Sequence, residues 1–386
     1  MPAEADARRF LLAAAKLALR GHGGAEPNPM VGCVIVRDGA VVGRGWHRRC
    51  GEAHAEVNAL LDAGDRAHGA TAYVTLEPCN HHGRTGPCSH ALIAAGVSRV
   101  VFATRDPNPT ASGGMQALLA AGIEAIHHPL PETDDLNAPF LKRVATNLPW
   151  VTAKWAQTLD GSIATRTGES QWISCETSRR RVHRERARVD AILTGMGTVR
   201  ADDPRLTARG TPILRRARRV VVDRDLDLDA GSALVRTLDR APLTVACSRG
   251  AHAERHAHAD LLRGLGVDVL AIDDGTEGLT ALLRDLHARL GVSTVLVESG
   301  GGLLGKLMAA GLVDELWAFV APMLVGDAQA PGPVRGLDPA VLDDCTRWRM
   351  TSMARSGVDV ELRLRRETGP QRTNWAGSSG SSVRSE

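Results

Sequence analysis

His54, Cys79 and Cys88 lie far apart in the chain, and a fold that brings them to one ion is more tightly constrained by that demand than by any other feature. An imidazole and two thiolates are the nitrogen and sulfur donors that suit Zn2+, and three protein ligands leave a fourth position open to water. An open position implies chemistry. Glu56, in the triplet His54-Ala55-Glu56, is placed to take a proton from that water and pass it on. Each cysteine follows a proline, and Cys88 opens a helical stretch whose N-terminus favours a thiolate. Taken alone the cysteines also read as buried thiols or a redox pair. The combination favours one zinc per chain.

His-x-Glu followed by Pro-Cys-x-x-Cys is the pattern of zinc deaminases, and this chain departs from it. Eight residues, 80–87, separate the two cysteines. The insert Asn80-His81-His82-Gly83-Arg84-Thr85-Gly86 is rich in cations and donors, as a pocket for a phosphate would be.

A length of 386 residues with 43% apolar composition suggests two domains, each with enough to bury. The net charge of +3 sets 47 basic against 44 acidic residues, which argues against a nucleic-acid coat but leaves local arginines for phosphorylated metabolites. Seven scattered cysteines point to a reducing compartment, and no run of 18 apolar residues would cross a membrane. A cytoplasmic protein is expected.

Apolar spacing predicts a helix over 7–20, and Asp38-Gly39 between β-branched runs predicts a hairpin over 31–43. Helices at 54–62, 89–95, 116–121 and 136–144 should alternate with strands at 71–76 and 99–103, giving an α/β layered domain over 1–147. A second α/β domain, 148–368, should carry strands at 150–156, 191–193, 220–222, 243–247, 267–272, 294–298 and 315–320. Helices are expected there at 178–188, 279–290 and 303–310. The Gly/Ser-rich segment 369–386 reads as a disordered tail.

The run Val295-Leu296-Val297-Glu298-Ser299-Gly300-Gly301-Gly302 is a strand entering glycines and then a helix, a junction at which backbone N–H groups can approach a phosphate. Gly300 to Lys306 even fits G-x-x-x-x-G-K, but Leu307 stands where a P-loop needs Ser or Thr. Glycines needed only for a tight turn are the alternative. Of the six arginines in 179–188 most should form a solvated face, and only Arg186 reads as a ligand contact.

At these residues the chain resembles the bifunctional riboflavin biosynthesis proteins. They join a diaminohydroxyphosphoribosylaminopyrimidine deaminase to a 5-amino-6-(5-phosphoribosylamino)uracil reductase. The likeness rests on His54-Ala55-Glu56-Val57, the run from Thr75 through Cys79 to Thr85, Arg105-Asp106-Pro107-Asn108-Pro109, Phe140-Leu141-Lys142-Arg143, Thr158-Leu159-Asp160-Gly161, Gly168-Glu169-Ser170-Gln171-Trp172-Ile173 and Ala201-Asp202-Asp203-Pro204, in that order. It implies a cytidine-deaminase-like zinc domain followed by a dihydrofolate-reductase-like domain using NADPH. By this resemblance His54, Cys79 and Cys88 are zinc ligands, Glu56 the proton shuttle, and Asn28, His47, His81 and Arg84 hold the phosphorylated ribosylaminopyrimidine. Ala156, Trp172, Thr198, Asp202 and the run Gly300, Gly301, Gly302, Leu303, Leu304, Gly305, Lys306 match NADPH contacts. Ser170, Arg186, Leu206, Arg209 and Glu298 match reductase substrate contacts, and Lys154 occupies a position typical of that pocket. Gly86 replaces a usual proline, and 110–114 is one residue shorter than the family's loop.

The resemblance implies deamination of the pyrimidine followed by reduction of its ribosyl chain, in a homo-oligomer without nucleic-acid or membrane partners. A deaminase of free nucleosides or tRNA, and a zinc-stabilised binding protein, are the competing readings. The phosphate-suited insert speaks against the first. Against the second stands the three-ligand site with its acid, since structural zinc sites are closed.

Overall fold

The computed structural model describes residues 2–81 and 86–367. Arg84 and the tail 369–386 lie outside the described residues.

The first sheet is built from β1 (Gly32–Arg37), β2 (Ala40–Trp46), β3 (Thr71–Leu76), β4 (Arg99–Thr104) and β5 (Glu124–His127) in the order β2-β1-β3-β4-β5. β1 runs antiparallel to β2 and β3, while β3, β4 and β5 are parallel. Asp38 and Gly39, with φ of 52° and 74°, make the turn that the sequence predicts, since a two-residue hairpin loop needs positive φ at both positions. Alternation along the strands divides the core in two. Val34, Val36 and Tyr73 pack with Phe10 and Leu11 of helix Pro2–Ala18, whereas Ile35, Val74 and Phe102 face Ala59, Leu92 and Leu118 from helices on the other side.

Helix Pro131–Thr146 closes this part and begins earlier than expected, because Pro131 serves as its first residue. The second sheet follows. Its strands are β6 (Trp150–Thr158), β7 (Ala191–Gly195), β8 (Arg218–Val222), β9 (Leu243–Ser248), β10 (Asp268–Ile272), β11 (Thr294–Val297), β12 (Glu315–Ala321), β13 (Trp348–Ser356) and β14 (Asp359–Arg366). The order is β10-β9-β8-β7-β11-β6-β12-β14-β13, parallel up to β12 and antiparallel in the terminal hairpin. Helices cover both faces, which is why β7 and β11 are wholly buried and read as unbroken apolar runs. The sequence reading missed β5, β13, β14 and helices Met196–Asp202, Ala233–Arg236, Arg249–Glu254 and His256–Gly264.

The first part of the chain docks at the amino ends of the second sheet. Lys142 pairs with Asp314 at 2.5 Å and donates to Pro149 O at 2.9 Å, just before β12 and β6 begin. Among the described residues no helix is long and apolar enough to cross a membrane.

Candidate active sites

His54 caps helix Ala55–Ala63 in extended backbone, so Glu56 falls in the first turn beside it. Cys79 follows β3, and Cys88 is the first residue of helix Cys88–Ala94. The ligand atoms of these three residues lie within 4.8 Å of one another. His54 Nδ1 stands 3.2 Å from Cys88 Sγ and 3.6 Å from Cys79 Sγ, and the Cys88 backbone N–H donates to Cys79 Sγ at 3.4 Å. One soft nitrogen and two sulfurs, converging at strand-to-helix junctions, fit zinc with one position left open.

The electrostatics agree with that reading. Hydrogen bonding from Cys88 draws Cys79 down to about 4, while the Cys88 thiol is pushed up by Cys79 and by burial. A cation bound between them would favour both as thiolates. Glu56 is 3% exposed, and burial together with the Cys79 charge raises it to about 7. A carboxyl poised near neutrality can both accept and return a proton.

A cavity of about 360 Å³ opens beside these residues. Asn28 Nδ2 donates to His47 Nε2 at 3.2 Å, so the His47 proton sits on Nδ1 and is given to Ala53 O at 3.2 Å. Burial lowers the His47 pKa and keeps the ring neutral, and the ring meets His54 edge-on at 5.1 Å. Asn28, His47 and His81 all line this cavity, as do Asp106, Asn108 and Arg143, which the sequence reading did not assign to the site.

A second cavity, of about 760 Å³, runs across the carboxyl ends of the parallel strands. Glu298 lies one residue beyond β11 and is gripped by Arg186 through Nε to Oε1 at 2.6 Å and Nη2 to Oε2 at 2.8 Å. Lys154 of β6 stands 4.0 Å from the same carboxylate. Burial opposes the charge on Glu298, but Arg186 and then Lys154 overcome it and hold the pKa at about 2. Burial lowers Lys154, and Arg186 adds to that, against the pull of Glu298.

Lys154, Ala156, Ser170, Arg186, Thr198, Asp202, Leu206 and Glu298 line this cavity together with Gly300, Gly301, Gly302, Leu303 and Lys306. Gly300 caps helix Gly301–Ala309, and its N–H donates to Thr198 Oγ1 at 3.2 Å. Four expected residues do not line it. Trp172 is 62% exposed with the Arg179 guanidinium 4.5 Å from its ring, and Arg209 sits by His183. Leu304 is 1% exposed in the core, and a Cβ on Gly305 would lie 1.8 Å from Arg335 O, so close packing requires this glycine. The sequence reading missed the far end of the cavity, where Arg224 follows β8, Ser248 ends β9, and Asp273 and Asp274 follow β10. The signal available was position: parallel sheets bind ligands beyond their carboxyl ends, and every such strand end is suspect.

A His-Cys-Cys triangle with a buried acid beside it on one α/β sheet, and a cleft across the carboxyl ends of a second, parallel sheet, define the class: a zinc-type deaminase fused to an open α/β domain. The zinc-binding region of cytidine and deoxycytidylate deaminases matches residues 4–104, and the RibD C-terminal domain matches residues 149–362. The riboflavin biosynthesis protein RibD of Escherichia coli is 41% identical over 370 residues, covering 92% of this chain and 98% of the relative. That of Bacillus amyloliquefaciens is 38% identical over 355 residues, covering 92% and 94%. Among solved structures, Acinetobacter baumannii RibD superposes with a TM-score of 0.79 at 36% identity, covering 95% of this chain and all of that one. The diaminohydroxyphosphoribosylaminopyrimidine deaminase/5-amino-6-(5-phosphoribosylamino)uracil reductase of Thermotoga maritima gives 0.79 at 31%, covering 94% and 99%. The chain belongs to the RibD family of riboflavin biosynthesis proteins, and it is a deaminase and a reductase in one polypeptide.

Proposed function

We propose that the first site deaminates 2,5-diamino-6-(5-phosphoribosylamino)pyrimidin-4-one and that the second reduces the ribosyl chain of the product to ribityl phosphate with NADPH. The observation that carries the reading is Glu56, buried beside the His54, Cys79 and Cys88 triangle and lining the same cavity as His54 and Cys79. Held by those three residues, zinc would acidify a water to about pH 7 chemistry. Glu56 takes the proton of the attacking water, gives it to the ring nitrogen, and then assists departure of ammonia. Asn28, oriented by its bond to the neutral His47 imidazole, would fix the pyrimidine through its amide oxygen.

NADPH, when bound, supplies the hydride. The N-terminus of helix Gly301–Ala309 suits its phosphates, and a cavity of about 760 Å³ has the volume for a dinucleotide. Arg186 is occupied by Glu298, so it orients that carboxylate in the free enzyme, and Arg209, exposed beside His183, would be the cation that meets the substrate phosphate. Lys154 and Asp202 are the groups available to move a proton to the opening ribosylamine, and Glu298, held ionised by Arg186, supplies the negative charge beside Lys154. Mass spectrometry of the substrate after incubation with zinc-loaded protein tests both halves. A deaminated product without cofactor and a ribityl product once NADPH is added support the reading, and an unchanged substrate refutes it.

A further inference from the structure

Among the described residues lining the deaminase cavity only one is a lysine or arginine, Arg143. It comes from the last turn of helix Pro131–Thr146. Its Nη2 donates to Pro27 O at 2.9 Å, one residue before Asn28, and its guanidinium lies 5.5 Å from the Phe140 ring. These contacts fix its position and leave most of its N–H donors unspent. Burial pushes its pKa down with no acid acting to restore it, and among the described residues no carboxylate pairs with it. A half-buried guanidinium with free donors, turned to a cavity, is complementary to a phosphate, which it can grip with two parallel bonds.

Two cavities meet at this side chain. Arg143, Phe140, Asn28 and Pro29 line both the deaminase cavity and a cleft of about 430 Å³ between the two sheets. Arg143 therefore stands at the mouth of the site, where the flexible phosphorylated arm of a pyrimidine nucleotide would lie when its ring reaches Glu56. We propose that Arg143 binds the phosphate of the deaminase substrate and makes the first site selective for the phosphorylated pyrimidine. The assignment rests on the deaminase reading above. Arg143 supplies this charge from a part of the chain separate from the Cys79–Cys88 loop.

Steady-state deamination by the zinc-loaded full chain tests this with two compounds, the phosphorylated substrate and its dephosphorylated counterpart. Arg143→Gln should raise KM for the phosphorylated compound by about tenfold or more with kcat little changed, and should leave KM for the dephosphorylated compound unaltered. Arg143→Lys, which keeps the charge but not the fork, should fall between. Calorimetric titration with inorganic phosphate needs no turnover: the parent should bind it at this site and R143Q should bind it more weakly. Equal rises in KM for both compounds would make Arg143 a prop for Pro27 and Asn28, and overturn the proposal. Unchanged phosphate binding in R143Q would overturn it too. A parent that binds phosphate through Arg143 yet deaminates neither compound would refute the deaminase reading separately.

Discussion

His22 Nε2 lies 3.2 Å from Glu185 Oε1, and this contact ties a loop beside the deaminase cavity to the helix that carries Arg186 into the reductase cleft. The other ring nitrogen meets Glu26 at 3.1 Å. Burial opposes a charged imidazole here, but Glu185 and Glu26 outweigh it and raise His22 to about 10. Burial likewise opposes the Glu185 carboxylate, and His22 overcomes it and holds the acid at about 2.

The pH dependence of stability follows from those two directions. His22 contributes fully below its ordinary pKa of 6.5, and the contribution is lost as pH rises towards 10. Glu185 contributes fully above 4.5 and loses its share as pH falls towards 2. His22→Gln should therefore cost most between these ordinary values, about 3 kcal/mol for a broken buried pair, and progressively less above pH 7. Urea unfolding of parent and variant at pH 6 and pH 9.5 measures it. A gap that stays constant across that range would remove the ion pair as its cause.

Glu56→Gln should keep the metal, because Glu56 is not among the ligand triangle, and should slow deamination by about a thousandfold. Elemental analysis for zinc and an ammonia-release assay check the two parts. Parent-like turnover would exclude the shuttle role.

Arg186→Met leaves Glu298 buried beside Lys154 alone. Its reductase KM should rise by about tenfold, and stability should fall by about 3 kcal/mol, since a buried carboxylate loses its bidentate partner. Deamination should be nearly unchanged. Steady-state assays of each half-reaction decide, and equal damage to both would contradict separate sites.

Gly114 opens the helix Gly114–Ala120, and a Cβ there would lie 1.7 Å from Pro78 O, next to Cys79, a proposed zinc ligand. Gly114→Ala must displace one or the other. The expected outcome is weaker zinc retention against a chelator, with reduction intact. Zinc loss at the parent rate would mean that the helix yields instead.

The zinc triangle was legible because its chemistry permits few residue types, and His54, Glu56, Cys79 and Cys88 converge as their spacing suggests. Strands buried on both faces, such as β7 and β11, were legible as apolar runs. The terminal hairpin was not: β13 exposes Met350 and Met353, and Arg363 and Arg365 of β14 lie over Trp317 and Trp150, so charge and burial do not alternate cleanly. The grip of Arg186 on Glu298 was also hidden, since it joins residues from distant elements. Glycines in 300–306 carried two messages at once, with Gly300 at the cavity and Gly305 fixed by Arg335.

The first sheet's partners dock at the amino ends of β6, β11 and β12, whereas the reductase cleft spans the carboxyl ends. On the proposed order of reactions, a deaminated intermediate made in one chain would have to pass from one end of the second sheet to the other before that chain could reduce it. A compound released on that passage would be open to capture by a competing enzyme, and a coupled assay with such a trap reads the fraction released.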